Sequence, residues 1–587
     1  VSHQAEAGQQ ARASGACACG SVARGPLLAS AAVLSFVGAA FYAYGDIVQN
    51  ELLPATVANF LRVGGIAWAA GFALLLACTW LALRLRERPD DGATPAAGLH
   101  LAGHKRAQGR RRPCPQLTRR SVLTFAGIML LCWLPYAIAL YPGRFGLDTY
   151  SMINQNYPGH LPVSSMPVEN PNHQFTDHHP IFDTLVYGLF ARGSDLLTGS
   201  CNPGIFLFSV LQMAATAAGM VCLLAYVGKL GVPSGARLAA FVYFCAMPFY
   251  PIYAFSMLKD ALHLTLMPPY AILLLETVRT HGEIYAKERH GRRNLAASIV
   301  LGVLLALTKK TCIYLVLIDA VVFALAYRKH WAALLAPGVA AAVTMFAVIP
   351  LVAYPALDVA PGGVQETLGP LITQTARFAR YHADEVTEDE REAIDAVIDY
   401  DSIALGYKSR NIDRVKYTYR WDTCTKADLQ RYLRVWLAMG LRRPGTYLAA
   451  TLGTCTNYFD WGGVVSVYPR AYVYPLASYK LHISEPESLA GAREAALQMH
   501  RNAASAPFAW MLYQMALYVW CIPALAWCVA VATRSRYKLA FLPLALQIVV
   551  LLASPADLTR YALPLIWLGP VLLALCVRQG AGSRVSL

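Results

Sequence analysis

Charge is what this sequence has least of. Asp, Glu, Lys and Arg make up only 14% of its 587 residues, against 56% for the apolar set, which excludes a soluble globular fold of this length. The apolar residues fall in blocks long enough to cross roughly 30 Å of hydrocarbon. Acidic residues are scarcer than basic ones, 35 against 50, and the net charge is +15. No tract joins that basic charge to base-stacking aromatics, so nucleic acid is excluded as a partner. The Lys and Arg sit instead in short loops between apolar blocks, as cytoplasmic loops do. Metal-binding spacing is also missing: Cys17 and Cys19 form a lone CxC with no partner pair. Most other cysteines, such as Cys78, Cys132, Cys222, Cys245 and Cys528, lie within apolar blocks as small hydrophobes. Only Cys424 and Cys455 fall clearly in a large external segment, where a disulfide is open to them. No convincing small-residue cleavage site follows the first apolar block, which therefore reads as an anchor.

What is present is a series of spans. Residues 1–25 read as a disordered cytoplasmic tail, 26–83 as two additional transmembrane helices, and 84–120 as a basic cytoplasmic linker. Residues 121–353 form a transmembrane core with a first external loop over 142–204, in which 180–197 reads as an interfacial helix with a full span as its rival. The block 295–327 is too long for one span and is expected to divide at Lys309-Lys310. Residues 354–507 form an external, helix-rich segment. In it, Thr387 and Glu390 predict a capping box, and Leu429, Tyr432, Leu433, Trp436 and Leu437 an amphipathic helix. Residues 508–587 hold the last spans and a short cytoplasmic tail. The expectation is an all-α polytopic membrane protein of about twelve transmembrane helices.

This topology gathers polar residues on the outer face. Asp148, Asp177, His178 and His179 fall there, with Lys259-Asp260, Lys309-Lys310 and Arg560 at the outer ends of other helices. Basic residues on that face run against the orientation rule and need a reason, which an anionic ligand supplies. Cations beside carboxylates suit a phosphate-linked substrate whose leaving group is held while a nucleophile is deprotonated. Plainer readings stand beside this one. Asp148 suits a helix cap, the histidines suit interfacial hydrogen bonding, Lys259 and Asp260 suit an ion pair with each other, and Arg560 suits snorkelling to head groups. Asp148, His178 and Asp260 are also candidate ligands for a divalent cation, Mg or Mn, although no fixed ligand spacing accompanies them.

The motifs YPG-x₄-D (141–148), DHHP (177–180), Lys259-Asp260 and RYALPL (560–565) resemble an uncharacterised family of bacterial polytopic proteins related to the glycosyltransferase C (GT-C) superfamily. QETLGPLITQTARFARY (365–381), TEDEREAID (387–395), VKYTY (415–419) and YLRVWLAMGLRRPGTYL (432–448) add to the resemblance, which runs from about 121 to 578. It implies a GT-C-like helical bundle in the bacterial plasma membrane that takes a sugar from a polyprenyl-phosphate carrier at the external face. A cell-envelope glycan or glycopolymer would be the acceptor. Asp148 and Asp260 take the matching acidic, catalytic positions. Asp177, His178, His179, Lys259, Lys309, Lys310 and Arg560 are the expected substrate- and phosphate-binding set. A transporter or flippase of lipid-linked precursors is the alternative, but transporters usually show internal repeats and midplane ionisable groups, and no repeat is visible here. A third reading, an assembly scaffold without chemistry, makes the polar cluster dispensable.

Overall fold

The computed structural model describes residues 23–49, 56–87, 119–158, 173–286, 289–360, 362–468, 470–471 and 481–578. The Cys17-Cys19 motif, nearly all of the expected tail and most of the basic linker lie outside the described residues. Among the described residues helices carry nearly all the secondary structure, and eight are long and apolar enough to cross a membrane. The chain is a membrane protein. Three shorter apolar helices, Ser234–Ala246, Cys312–Ala326 and Leu517–Ala532, accompany the eight.

Local chemistry explains the short ones. Residues 238–255 do not form one helix, because Pro248 disfavours helical backbone at Met247; the chain is helical over Ser234–Ala246 and again over Phe249–Ala254. The block at 295–327 divides into Arg289–Thr308 and Cys312–Ala326, with the break at the lysine pair. Near 508 the chain enters through a 3₁₀ turn, Ala509–Tyr513, and a continuous helix starts only at Leu517.

The main core joins the Arg119–Ala139, Asn202–Lys229 and Leu563–Cys576 helices. At its centre Trp133 and Trp567 meet edge to face with ring centroids 5.9 Å apart. The Ile181–Thr198 helix packs on Asn202–Lys229 and on the short Leu147–Asn154 helix. That contact is close: a Cβ at Gly188 would lie 2.0 Å from the Asn156 side chain, whose Nδ2 donates to the Thr184 carbonyl at 2.9 Å. The helix is not among those long and apolar enough to span.

A second core forms within residues 365–447. The Gln365–Tyr381 helix buries Ile372, Ala376 and Phe378 against Ile394, Val397 and Tyr432. The capping box at Thr387 and Glu390 forms in both directions. The Lys426–Arg442 helix forms too, but its buried face carries Tyr432 and Met439, with Trp436 half-buried. Of the expected face, Leu429, Tyr432 and Trp436 turn to this core, whereas Leu433 and Leu437 are 36% and 54% exposed. Cys424 and Cys455 are both free thiols and form no disulfide. Cys455 is buried in the main core and Cys424 packs against the second one, so the two belong to different packing units.

A parallel pair of two-residue strands, Phe175–Thr176 and Val359–Ala360, ties the DHHP loop to the start of the 354–507 segment. The Asp177 amide donates to the Ala360 carbonyl at 2.8 Å. Gln155 Oε1 accepts from the Thr176 amide at 2.9 Å, fixing the same loop from the other side.

Candidate functional site

The site is built on helix ends. Asp148 lies in the first turn of Leu147–Asn154, Lys259 and Asp260 open the Lys259–Thr280 helix, and Lys309 and Lys310 follow the last turn of Arg289–Thr308. Arg560 lies in the Thr559–Ala562 turn and Asp177 in the loop after the first strand. The turn leading to Asp148 needs glycine: Gly143 has φ +153°, and a Cβ there would stand 2.9 Å from Ser209 Oγ. Arg144 is fully buried beside it and pairs with Glu485.

These segments bring their ion pairs to one polar site. Arg560 Nη1 stands 2.8 Å and Lys259 Nζ 3.3 Å from Asp148 Oδ2. Arg560 Nε faces Asp260 Oδ2 at 3.8 Å, and Lys309 Nζ donates to Asp260 Oδ1 at 3.0 Å. Lys310 Nζ reaches Asp177 Oδ2 at 2.8 Å, and Lys259 Nζ donates to His179 Nδ1 at 3.0 Å. His178 Nδ1 lies 3.6 Å from Glu366 Oε1, which Lys416 Nζ holds at 3.0 Å. Lys259, Asp148, Arg560, Asp260, Lys309 and His179 therefore form one chain of contacts. Lys310–Asp177 and His178–Glu366–Lys416 are two further clusters, tied to it by neighbouring residues of the same segments and by the edge-to-face His178 and His179 rings, 4.5 Å apart.

The plainer readings of these residues are now decided by position. Asp148 caps nothing: the N-cap is Gly146, no side chain caps the helix, and the Asp148 carboxylate goes to Arg560 and Lys259. Lys259 turns away from Asp260, since neighbours on a helix do not face each other. Arg560 is 8% exposed and reaches inward to two carboxylates, so it does not snorkel.

Electrostatics separates the groups. Burial works against the Asp148 charge, but Arg560 and then Lys259 outweigh it and hold the carboxyl well below the usual range. Burial, reinforced by Lys259, pushes His179 well below an ordinary imidazole, so it is neutral and free to accept the Lys259 proton. The residues do not fit a divalent cation. Asp148 and Asp260 each spend their charge on cations, Arg560 stands between them, and among the described residues no three His, Cys, Asp or Glu side chains converge as ligands. The candidate set Asp148, His178 and Asp260 is corrected on that ground.

One acid was missed. Asp183 is fully buried, and neither carboxyl oxygen has a hydrogen-bond partner among the described residues. Burial pushes its proton affinity well above the usual carboxyl range, against the pull of Lys259, and so favours its neutral form. The signal was an acid four residues after His179 in the mostly apolar first half of its helix, with Tyr187 a further turn along the same face. Its titration has a measurable consequence. A carboxyl with raised folded-state affinity contributes stability at low pH that is lost as pH rises above the unfolded value of about 3.9. Asp183→Asn is free of that loss, so the variant should gain in melting temperature over the parent, and by more at pH 8 than at pH 5. A difference that does not change with pH would mean that Asp183 is ionised and paired.

A bundle with eight described helices long and apolar enough to cross a membrane, and ion pairs gathered at helix termini, defines the class: a membrane protein with a polar site at the helix termini. The chain belongs to DUF6020, a family of unknown function, whose profile matches residues 20–585. That match takes in the first two helices, which the motif resemblance had left outside. No curated protein and no solved structure matches the chain.

Proposed function

We infer that the protein is a membrane glycosyltransferase that moves a sugar from a polyprenyl-phosphate carrier to a cell-envelope acceptor. The observation that carries this reading is the convergence of Lys259, Lys309, Lys310 and Arg560 with Asp148, Asp177 and Asp260 from five separate segments. Such a network suits an anionic leaving group next to a base. Twelve crossings are proposed: the eight long helices, the three shorter ones and Leu542–Leu552. The basic loops at Arg279, Arg328-Lys329 and Arg534-Arg536 share the end opposite the network, which suits a plasma-membrane orientation with the network external.

In the reaction, the acceptor O–H proton passes to the Asp148 carboxylate as the oxygen attacks the anomeric carbon. The carbon–oxygen bond to phosphate breaks, and the polyprenyl phosphate leaves with the electron pair. Attack opposite the leaving group inverts the sugar, through a cationic, oxocarbenium-like transition state. Lys259, Lys310 and Arg560 neutralise the departing phosphate, and Asp260 positions Lys309. Paired with Arg560 and Lys259, Asp148 is a weak base. A phosphate competing for those cations raises its proton affinity, so donor binding prepares the base.

The test uses undecaprenyl phosphate as the probe. Lys310, whose side chain is 37% exposed, is the most accessible cation of the four. Lys310→Gln should weaken binding by roughly ten- to a hundred-fold, the worth of a charge-assisted contact. Lys329→Gln, in a loop at the other end, should not change it. Equal binding by Lys310→Gln and the parent would overturn the reading. A transporter or flippase is favoured by one observation: Asp319, 2% exposed within an apolar helix, accepts from Tyr270 Oη at 2.8 Å. That alternative would show as movement of labelled carrier between leaflets without transfer to an acceptor.

A further inference from the structure

An apolar cavity of about 130 Å³ lies between the Asn202–Lys229, Lys259–Thr280, Ile522–Ala532 and Leu563–Cys576 helices. Leu223, Met267, Leu544, Leu568 and Val571 line it, and such a wall offers water few partners. Its charged lining comes from helix C-termini: Arg86, at the end of Val57–Glu87, and Arg578, just past Leu563–Cys576. The Asp148 network lies at the other end of these helices, at the start of Lys259–Thr280.

Among the described residues the positive charge here is uncompensated: none of Arg86, Arg536 and Arg578 makes an ion pair with a carboxylate, and Glu276 nearby is taken by Arg279. Arg578 stacks 5.0 Å and Arg536 5.3 Å from the centre of the Tyr537 ring, so one aromatic carries two cations. Arg578 Nε is buried with no hydrogen-bond acceptor among the described residues. Buried donors without acceptors beside a dry apolar space match one chemistry: an anion attached to a hydrocarbon chain.

We propose that this cavity binds an anionic phospholipid of the leaflet opposite the Asp148 network, its phosphate on Arg578 and Arg86 and a short stretch of one acyl chain inside. The bilayer supplies such lipids in excess, so the site is filled in the membrane and holds together helices that otherwise leave a void. This inference does not depend on the glycosyltransferase reading.

The experiment titrates purified, delipidated full-length protein with phosphatidylglycerol or phosphatidylcholine of identical chains and counts bound lipid by native mass spectrometry. The parent should prefer phosphatidylglycerol by about tenfold, and Arg578→Gln should remove that preference, since a charge-assisted contact is lost. Arg292→Gln, an exposed arginine that does not line the cavity, should leave it unchanged. Val571→Trp, which fills the cavity, should reduce binding of both lipids; its melting curve checks folding, and Arg578→Gln decides the matter if it unfolds. Equal affinity of the parent for the two lipids would overturn the proposal. So would equal losses in Arg578→Gln and Arg292→Gln, or phosphatidylglycerol binding unchanged in a folded Val571→Trp.

Discussion

Asp148→Asn is expected to lower sugar transfer in isolated membranes by roughly 10²–10⁴-fold, the contribution of a positioned general base. Asparagine keeps the shape and an oxygen that accepts from Arg560, but it cannot take a proton. The substitution removes no helix cap, because the Asp148 carboxylate caps nothing and the N-cap position belongs to Gly146. Lys259 keeps His179 at 3.0 Å, and Arg560 keeps Asp260 at 3.8 Å, so neither cation is left without a neighbour. The variant should therefore reach the membrane at levels close to the parent. Transfer and carrier binding are measured together: loss of transfer with binding retained assigns the proton to Asp148. Transfer within a few-fold of the parent would move the base to Asp177 or Asp260.

Arg560→Gln is expected to unfold the site end of the bundle rather than only slow the reaction. The Arg560 side chain is 9% exposed and stands between Asp148 and Asp260, the latter 1% exposed. Removing one partner of a buried pair leaves an uncompensated charge and costs about 3–5 kcal/mol. That is a large part of a typical folding stability of roughly 5–15 kcal/mol. Lys309 still holds Asp260, and Lys259 still holds Asp148, so the loss falls toward the lower figure. The measurement is the melting temperature of the purified protein, with Arg560→Lys as the second variant. Lysine restores the charge but cannot fork to two carboxylates, so it should recover part of the stability. A melting temperature for Arg560→Gln equal to the parent's would mean that the two lysines suffice.

The pairings at this site explain why the network works as a unit. Each cation is held by an acid from a different segment, so in the proposed reaction an arriving phosphate would displace a carboxylate. The exchange costs little if the displaced acid takes up a proton, which is what a base next to a reacting hydroxyl has to do. His179, neutral and hydrogen-bonded to Lys259, keeps that lysine aimed at the site without adding charge.

Much of the helical scaffold was legible in order. Apolar runs of membrane length become helices because the bilayer leaves backbone groups no other partner. The break at Lys309-Lys310 follows from length alone, and the Thr387 capping box from local side-chain chemistry. The Lys426–Arg442 helix was legible as an element and in most of its facing: Leu429, Tyr432 and Trp436 turn to the second core. Leu433 and Leu437 stay outside, and Met439 completes the inner row instead.

By itself, the sequence determined that this is a membrane protein of apolar helices, and that its spare charges gather at helix ends. Tertiary structure alone decided who pairs with whom. Lys259 and Asp260 adjoin in sequence yet point about 100° apart on their helix, so Lys259 goes to Asp148 and Asp260 goes to Lys309. Lys309 and Lys310 diverge in the same way, one to Asp260 and the other to Asp177. Cys424 and Cys455 share a segment but fold into different cores. Asp183 interrupts an apolar run and yet lies fully buried, because its helix packs on both Leu147–Asn154 and Asn202–Lys229. Spacing along a chain sets which face a side chain occupies; the partner on that face comes from another segment, and only packing brings the two together.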